Sequence, residues 1–265
     1  MRVQLASDLH LEAWPRSTFE EMLKPAAPVL VLLGDICRVS AKHRPFFEWC
    51  SERWDTVLWI PGIEEIWGSG FTVDTGVAAM RELVGPYANI HVLYNERMGT
   101  EDGALVLATP LWWRPAKGML RVRGEIWASA DPPPCREDLF IKEHQKCLQW
   151  LTKQLQSKDT PVVVFSHGAP LGYLQQEEWI QHKSNVPVAA ELQQLLKRPV
   201  LAWGYGHSHV SNQEYVTSAA TTGEETSVLL VCNPRGVPDR PSGYQKNFVI
   251  RVDPQAHSGE TARTL

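Results

Sequence analysis

The stretch Val29-Leu30-Val31-Leu32-Leu33-Gly34-Asp35 is an unbroken apolar run that ends on a glycine and a carboxylate. A run this short and this rich in Val and Leu, bracketed by Pro28 and Gly34, reads as a strand of an α/β sheet buried on both faces. Asp35 then lies where the strand leaves the sheet, the edge at which open α/β folds bind ligands. An Asp after a strand also serves as an ordinary turn or helix cap, so its meaning depends on the rest of the chain.

Working outward, other buried runs end in the same way. Val3 to Ala6 leads into Asp8-Leu9-His10, and Thr56-Val57-Leu58-Trp59-Ile60 stops at Pro61-Gly62. Thr160 to Phe165 ends in Ser166-His167-Gly168, and Pro199 to Trp203 ends in Gly204-Tyr205-Gly206-His207-Ser208-His209. Ile90 to Tyr94 and Ala104 to Ala108 read as further strands, while Gln213 to Val216, Val228 to Cys232 and Phe248 to Val252 read as antiparallel strands closing the domain. Helices are expected at Thr18 to Leu23, Lys42 to Trp54, Ala78 to Val84, Glu137 to Gln156 and Val188 to Leu196. His144 falls on the apolar stripe of the fourth of these and reads as a satisfied boundary residue. No internal repeat or linker interrupts the pattern, so residues 1–253 form one α/β domain, with 254–265 a polar tail expected to fray.

Two segments do not fit the alternation. Leu111 to Cys135 carries Arg114, Lys117, Arg121, Arg123 and three consecutive prolines, and reads either as a solvated surface loop or as a basic lid over an anionic substrate. Pro170 to Pro187 is a second irregular stretch, with Trp179 and His182. Eleven tryptophans are unusually many; most are expected in the core or at its rim.

Bulk properties narrow the function classes. With 265 residues the chain can bury a full-sized core. A net charge of −4 gives no electrostatic case for wrapping nucleic acid or lying on an anionic membrane. Five widely spaced cysteines without a C-x-x-C pair read as free thiols. The N-terminal residues lack the apolar core of a signal peptide, and no run is long enough to span a membrane, so a cytoplasmic location is expected.

The strand ends define a constellation: Asp8 with His10, Asp35, His167, and His207 with His209. Residues two apart on extended backbone point the same way, so D-x-H and H-x-H can each direct two side chains at one site. Imidazole mixed with carboxylate suits Zn, Fe or Mn, whereas an all-oxygen set would suggest Mg or Ca.

Asp8-Leu9-His10, Gly34-Asp35, Pro61-Gly62, Ser166-His167 and Gly206-His207-Ser208-His209, in that order, resemble the five motifs of the calcineurin-like metallophosphoesterases. Asn233-Pro234-Arg235-Gly236 is similar to a sixth, the N-P-R-G turn of one branch. The resemblance implies a four-layer α/β/β/α sandwich of two mixed sheets flanked by helices. It also implies one or two divalent transition metals (Mn, Fe or Zn), held first by Asp8, His10, Asp35 and His209 and second by Asp35, His167 and His207, with Asp35 bridging. The implied activity is hydrolysis of a small phosphate mono- or diester by a metal-activated hydroxide.

The third motif of that family, G-N-H-[DE], stands here as Gly62-Ile63-Glu64-Glu65. Ile63 replaces the metal-binding Asn, and Glu64 replaces the His that contacts phosphate. Three readings stay open: a hydrolase in which Glu64 or Glu65 reaches the second metal or donates a proton, a slow enzyme with only the first site filled, and a protein that binds metal or a phosphorylated ligand without efficient turnover. Arg235 is a candidate phosphate ligand through its guanidinium, or a surface residue that closes its turn.

Overall fold

The computed structural model describes residues 1–14, 17–112, 137–156, 160–174, 192–219, 225–255 and 261–265. Most of the basic excursion, including Arg114, Lys117, Arg121 and Arg123, lies outside the described residues, as do Trp179, His182 and the first part of the helix expected at 188–196.

Twelve described strands form two six-stranded sheets. The first contains β1 (Arg2–Ala6), β2 (Val29–Leu32), β3 (Thr56–Trp59), β4 (Ile90–Val92), β11 (Val249–Val252) and β12 (Ala262–Thr264), in the order β12-β11-β1-β2-β3-β4. The second contains β5 (Glu96–Gly99), β6 (Leu105–Thr109), β7 (Val162–Ser166), β8 (Val200–Tyr205), β9 (Asn212–Ala219) and β10 (Glu225–Cys232), in the order β5-β6-β7-β8-β10-β9. β1 to β4 pair in parallel, as do β6, β7, β8 and β10, and the remaining pairings are antiparallel, so both sheets are mixed.

The apolar runs are continuous because each sheet is covered on both sides. Along β2, Leu30 and Leu32 point into a core shared with α2 (Arg44–Ser51) and α4 (Val73–Val84), while Val31 and Leu33 point into the core between the sheets. Along β7, Val163 and Phe165 enter the same middle layer, and Val162 and Val164 pack in a third cluster with Cys147 and Leu151 of α5 (Glu137–Gln154). Three apolar layers between four layers of secondary structure give the α/β/β/α sandwich.

The expected antiparallel closing group is divided between the sheets: Val249–Val252 joins the first, and Glu225–Cys232 is parallel to β8 while antiparallel to β9. The tail expected to fray ends in an edge strand, where Ala262–Thr264 pairs with β11 and Ala262 is buried. α4 starts earlier than its apolar spacing suggested, because Thr72 caps it and accepts from Thr75 N. Only a single 3-10 turn, Gln193–Leu195, stands in the described part of the expected helix at 188–196. His144 is buried, with Nδ1 against the Trp112 carbonyl. Cys37, Cys50, Cys147 and Cys232 are buried free thiols.

Candidate metal centre

The carboxyl ends of β1 and β2 in one sheet face those of β7 and β8 in the other, so the six candidate ligands converge from two sheets rather than along one sheet edge. They form two triads. Asp8, His10 and His209 present ligand atoms all within 4.8 Å of one another, and so do Asp35, His167 and His207. Asp35 is a member of the second triad alone, and neither Glu64 nor Glu65 joins a triad.

The side chains do not converge by strand alternation. Asp8, His10, Asp35, His207 and His209 all adopt left-handed backbone, with φ between 43° and 66°. A non-glycine residue there costs on the order of 1 kcal/mol or more, and such residues concentrate at functional sites. Neighbouring glycines make room: Gly34 has φ +85°, and a Cβ there would lie 2.5 Å from His167 Nδ1.

Backbone contacts then lock the loops together. Asp8 N donates to Gly34 O (2.9 Å), His10 N to Asp35 O (3.1 Å) and Gly206 N to His167 O (3.0 Å). Asp8 accepts from His207 N at Oδ2 (2.9 Å), which leaves Oδ1 facing His209 Nε2 at 3.4 Å. His167 Nδ1 is 2.8 Å from the Leu33 carbonyl, so that nitrogen carries the proton and Nε2, 3.5 Å from Asp35 Oδ2, offers its lone pair. His10 Nε2 and His209 Nε2 approach to 3.2 Å.

Asp35 Oδ1 accepts from Ile63 N (2.5 Å) and Glu64 N (2.8 Å), the first amides of α3 (Ile63–Ile66). Ile63 thus contributes its backbone, while its side chain packs in the outer core. Glu65, one of the two carboxylates expected to reach the second metal or donate a proton, is fully buried and serves as a structural clamp. Its oxygens accept from Asp35 N, Ile36 N, Cys37 N, Gly62 N and Trp59 Nε1 at 2.7–3.3 Å. The signal that could have found this role is Glu at the third position after a glycine N-cap, with apolar neighbours.

Glu64 accepts from Arg38 Nε at 2.9 Å. Arg235 stacks over Trp14 with Cζ 4.0 Å from the ring centroid and donates from Nη2 to Ser17 Oγ (3.0 Å). Its turn is tied to the first triad through the backbone, since Gly236 N donates to Asp8 O (2.9 Å).

The electrostatics match a site built for cations. Burial works against charge on His10, yet the Glu12 carboxylate beside Nδ1, reinforced by Asp35 and Asp8, pushes it up to about 9. Burial also opposes ionisation of Asp8, but His209 and the other imidazoles hold it well below the usual carboxylate range. At Asp35, burial, opposed in part by His10 and reinforced by Asp8 and Glu64, pushes the carboxyl up to about 7. Among the described residues, Asp8 Oδ1 and His167 Nε2 are buried without a hydrogen-bond partner. Two imidazoles and one carboxylate per triad, with orphaned donor atoms facing inward, fit a pair of divalent transition metals and leave coordination positions for other ligands.

Solved structures share this architecture. A phosphopantetheinyl hydrolase from Mycobacterium tuberculosis superposes with a TM-score of 0.60 at 18% identity, covering 89% of this chain and 90% of that one. A dimetal phosphatase from Danio rerio superposes with a TM-score of 0.51 at 15% identity, covering 94% and 92%. The chain has the calcineurin-like metallophosphoesterase fold. No family model matches the sequence. An uncharacterized protein of Acanthamoeba polyphaga mimivirus is 22% identical over 204 residues, 69% of this chain and 72% of that protein. Among the described residues, no helix of this metallophosphoesterase-fold chain is long and apolar enough to cross a membrane.

Proposed function

We propose that the protein is a metal-dependent phosphoesterase acting on a small phosphate mono- or diester. The observation that carries this reading is the pair of His-His-Asp triads, buried except at His209, in which five of the six residues hold left-handed backbone. Asp8, His10 and His209 would hold one divalent ion and Asp35, His167 and His207 the other, with Asp35 the bridging residue that the family resemblance implies. When bound, such ions supply positive charge to phosphoryl oxygens and acidify the water that serves as nucleophile.

The chain's own residues do the positioning. The Leu33 carbonyl fixes the tautomer of His167, Glu12 backs His10, and the α3 amides hold Asp35 Oδ1 so that Oδ2 faces His167 Nε2. Glu64 is engaged by Arg38, which favours an anchoring role over that of proton donor. Phosphopantetheinyl esters, after which the mycobacterial neighbour is named, are substrates to screen.

A second reading has one observation in its favour. Ile63 turns its side chain into the core, so the second triad has no further side-chain ligand from that motif; a protein that binds metal without efficient turnover is the result if three donors hold the second ion too weakly. Purified protein loaded with Mn or Zn and assayed on p-nitrophenyl phosphate and bis-p-nitrophenyl phosphate separates the two. Hydrolysis that disappears in Asp35→Ala supports the enzyme, and bound metal with no product supports the binder.

A further inference from the structure

A phosphate ester would bring negative charge to a centre that already holds Asp8 and Asp35, with Glu12 beside His10 and Glu64 beside Asp35, so a cation from the chain has a task there. Two arginines among the described residues touch the loops of the centre, and they are employed differently. Arg235 is half-buried, its guanidinium stacked on Trp14 and its Nη2 bonded to Ser17, while Nη1 is buried without a hydrogen-bond partner among the described residues.

Arg38 is held at both ends and left open at its tip. Its backbone N–H donates to Glu12 Oε2 at 3.3 Å, and Glu12 Oε1 lies 3.3 Å from His10 Nδ1, which ties it to the first triad. Its carbonyl accepts from His43 Nδ1 at 2.8 Å. Its Nε donates to Glu64 Oε2 at 2.9 Å, and Glu64 N donates to Asp35 Oδ1, which ties it to the second triad. Gly68 leaves space for that carboxylate, since a Cβ there would sit 2.2 Å from Glu64 Oε2. The Arg38 side chain is 50% exposed, and among the described residues its Nη1 and Nη2 make no hydrogen bond. A guanidinium with its stem and Nε fixed and its two amino groups open is a pre-organised fork for an oxyanion.

We propose that Arg38 is the phosphate-binding residue of this centre, with Glu64 and Glu12 as its positioning residues, and that it favours phosphate monoesters. The inference rests on the phosphoesterase reading. The Coulomb attraction of one fixed cation scales with ligand charge, so a monoester dianion gains more from Arg38 than a diester monoanion. In this arrangement the Glu64 carboxylate, which replaces a cationic or neutral imidazole in the family motif, reaches phosphate through the arginine it holds.

The test is calorimetric titration of the Mn-loaded protein with inorganic phosphate, with metal per chain measured on the same samples. Arg38→Ala is expected to weaken phosphate binding about tenfold or more with metal content unchanged. Arg38→Lys, which keeps the charge and loses the fork, falls between, and Glu64→Gln gives a smaller loss by loosening Arg38. In parallel, the ratio of kcat/KM for p-nitrophenyl phosphate over its bis ester drops in Arg38→Ala. Wild-type phosphate affinity and an unchanged ester ratio in a metal-loaded Arg38→Ala protein overturn the assignment and leave the phosphoesterase reading intact. Absence of bound metal in the wild type overturns that reading and this inference with it.

Discussion

The two triads use the same donors, two imidazoles and a carboxylate, and differ in what stands behind them. The first opens further to solvent, with the His209 side chain 15% exposed, and is backed by the Glu12 carboxylate. The second is closed: His167 is fully buried, and Asp35 is backed by peptide amides and the sealed Glu65 clamp. A charged second layer makes an imidazole more basic, whereas a peptide layer fixes a carboxylate in space without adding charge. Because Glu12 raises His10 and burial raises Asp35, metal at the first site would compete with a proton on His10 and metal at the second with a proton on Asp35.

The largest effects come from removing a ligand on either side. Asp35→Ala is expected to lower phosphoesterase activity more than the 10–100-fold typical of second-layer changes, and to empty the second site. If Asp35 also bridges, the first site weakens with it, whereas His167→Ala should spare the first; metal titration of the two variants distinguishes these outcomes.

Next is the Glu65 clamp. Glu65→Gln replaces an acceptor oxygen with an amide that cannot serve the same peptide donors, at a cost of about 1–3 kcal/mol per unsatisfied group. Thermal unfolding should show a drop of several degrees, and metal loss should fall on the second site before the first. Equal loss from both sites would erase the contrast.

The pH dependence sharpens the comparison. His10 is pushed up to about 9, so metal binding at neutral pH would displace its proton. Affinity at the first site should rise by up to about tenfold per pH unit from 7 towards 9 and level off above. Asp35, pushed up to about 7, makes the second site lose affinity as pH falls below 7. Isothermal titration across pH 6 to 9 measures both slopes. Glu12→Gln gives the smallest effect, since His10 becomes less basic and the first slope flattens; an unaltered slope would remove Glu12 from the account.

Much of the fold was legible because burial on both faces leaves a plain record: Val29 to Leu33 and Val162 to Phe165 are continuous apolar runs. What those runs do not record is which sheet they join, because a doubly buried strand looks the same in either. The six triad residues were legible as polar side chains at strand ends. Their mode of convergence was not, since extended spacing suggested alternation, whereas left-handed kinks at Asp8, His10, Asp35, His207 and His209 do the turning. Ile63-Glu64-Glu65 read as a damaged motif, yet it folds as the first turn of α3, with Ile63 in the core, Glu64 on Arg38 and Glu65 under the loop of Asp35.

The central claim is that two metal ions sit side by side in unlike surroundings. Metal per chain, measured by native mass spectrometry on protein reconstituted with Mn or Zn, tests it most directly. The expected result is two ions in the wild type and one in His167→Ala. No bound ion in the wild type, or the same count in both proteins, would contradict it.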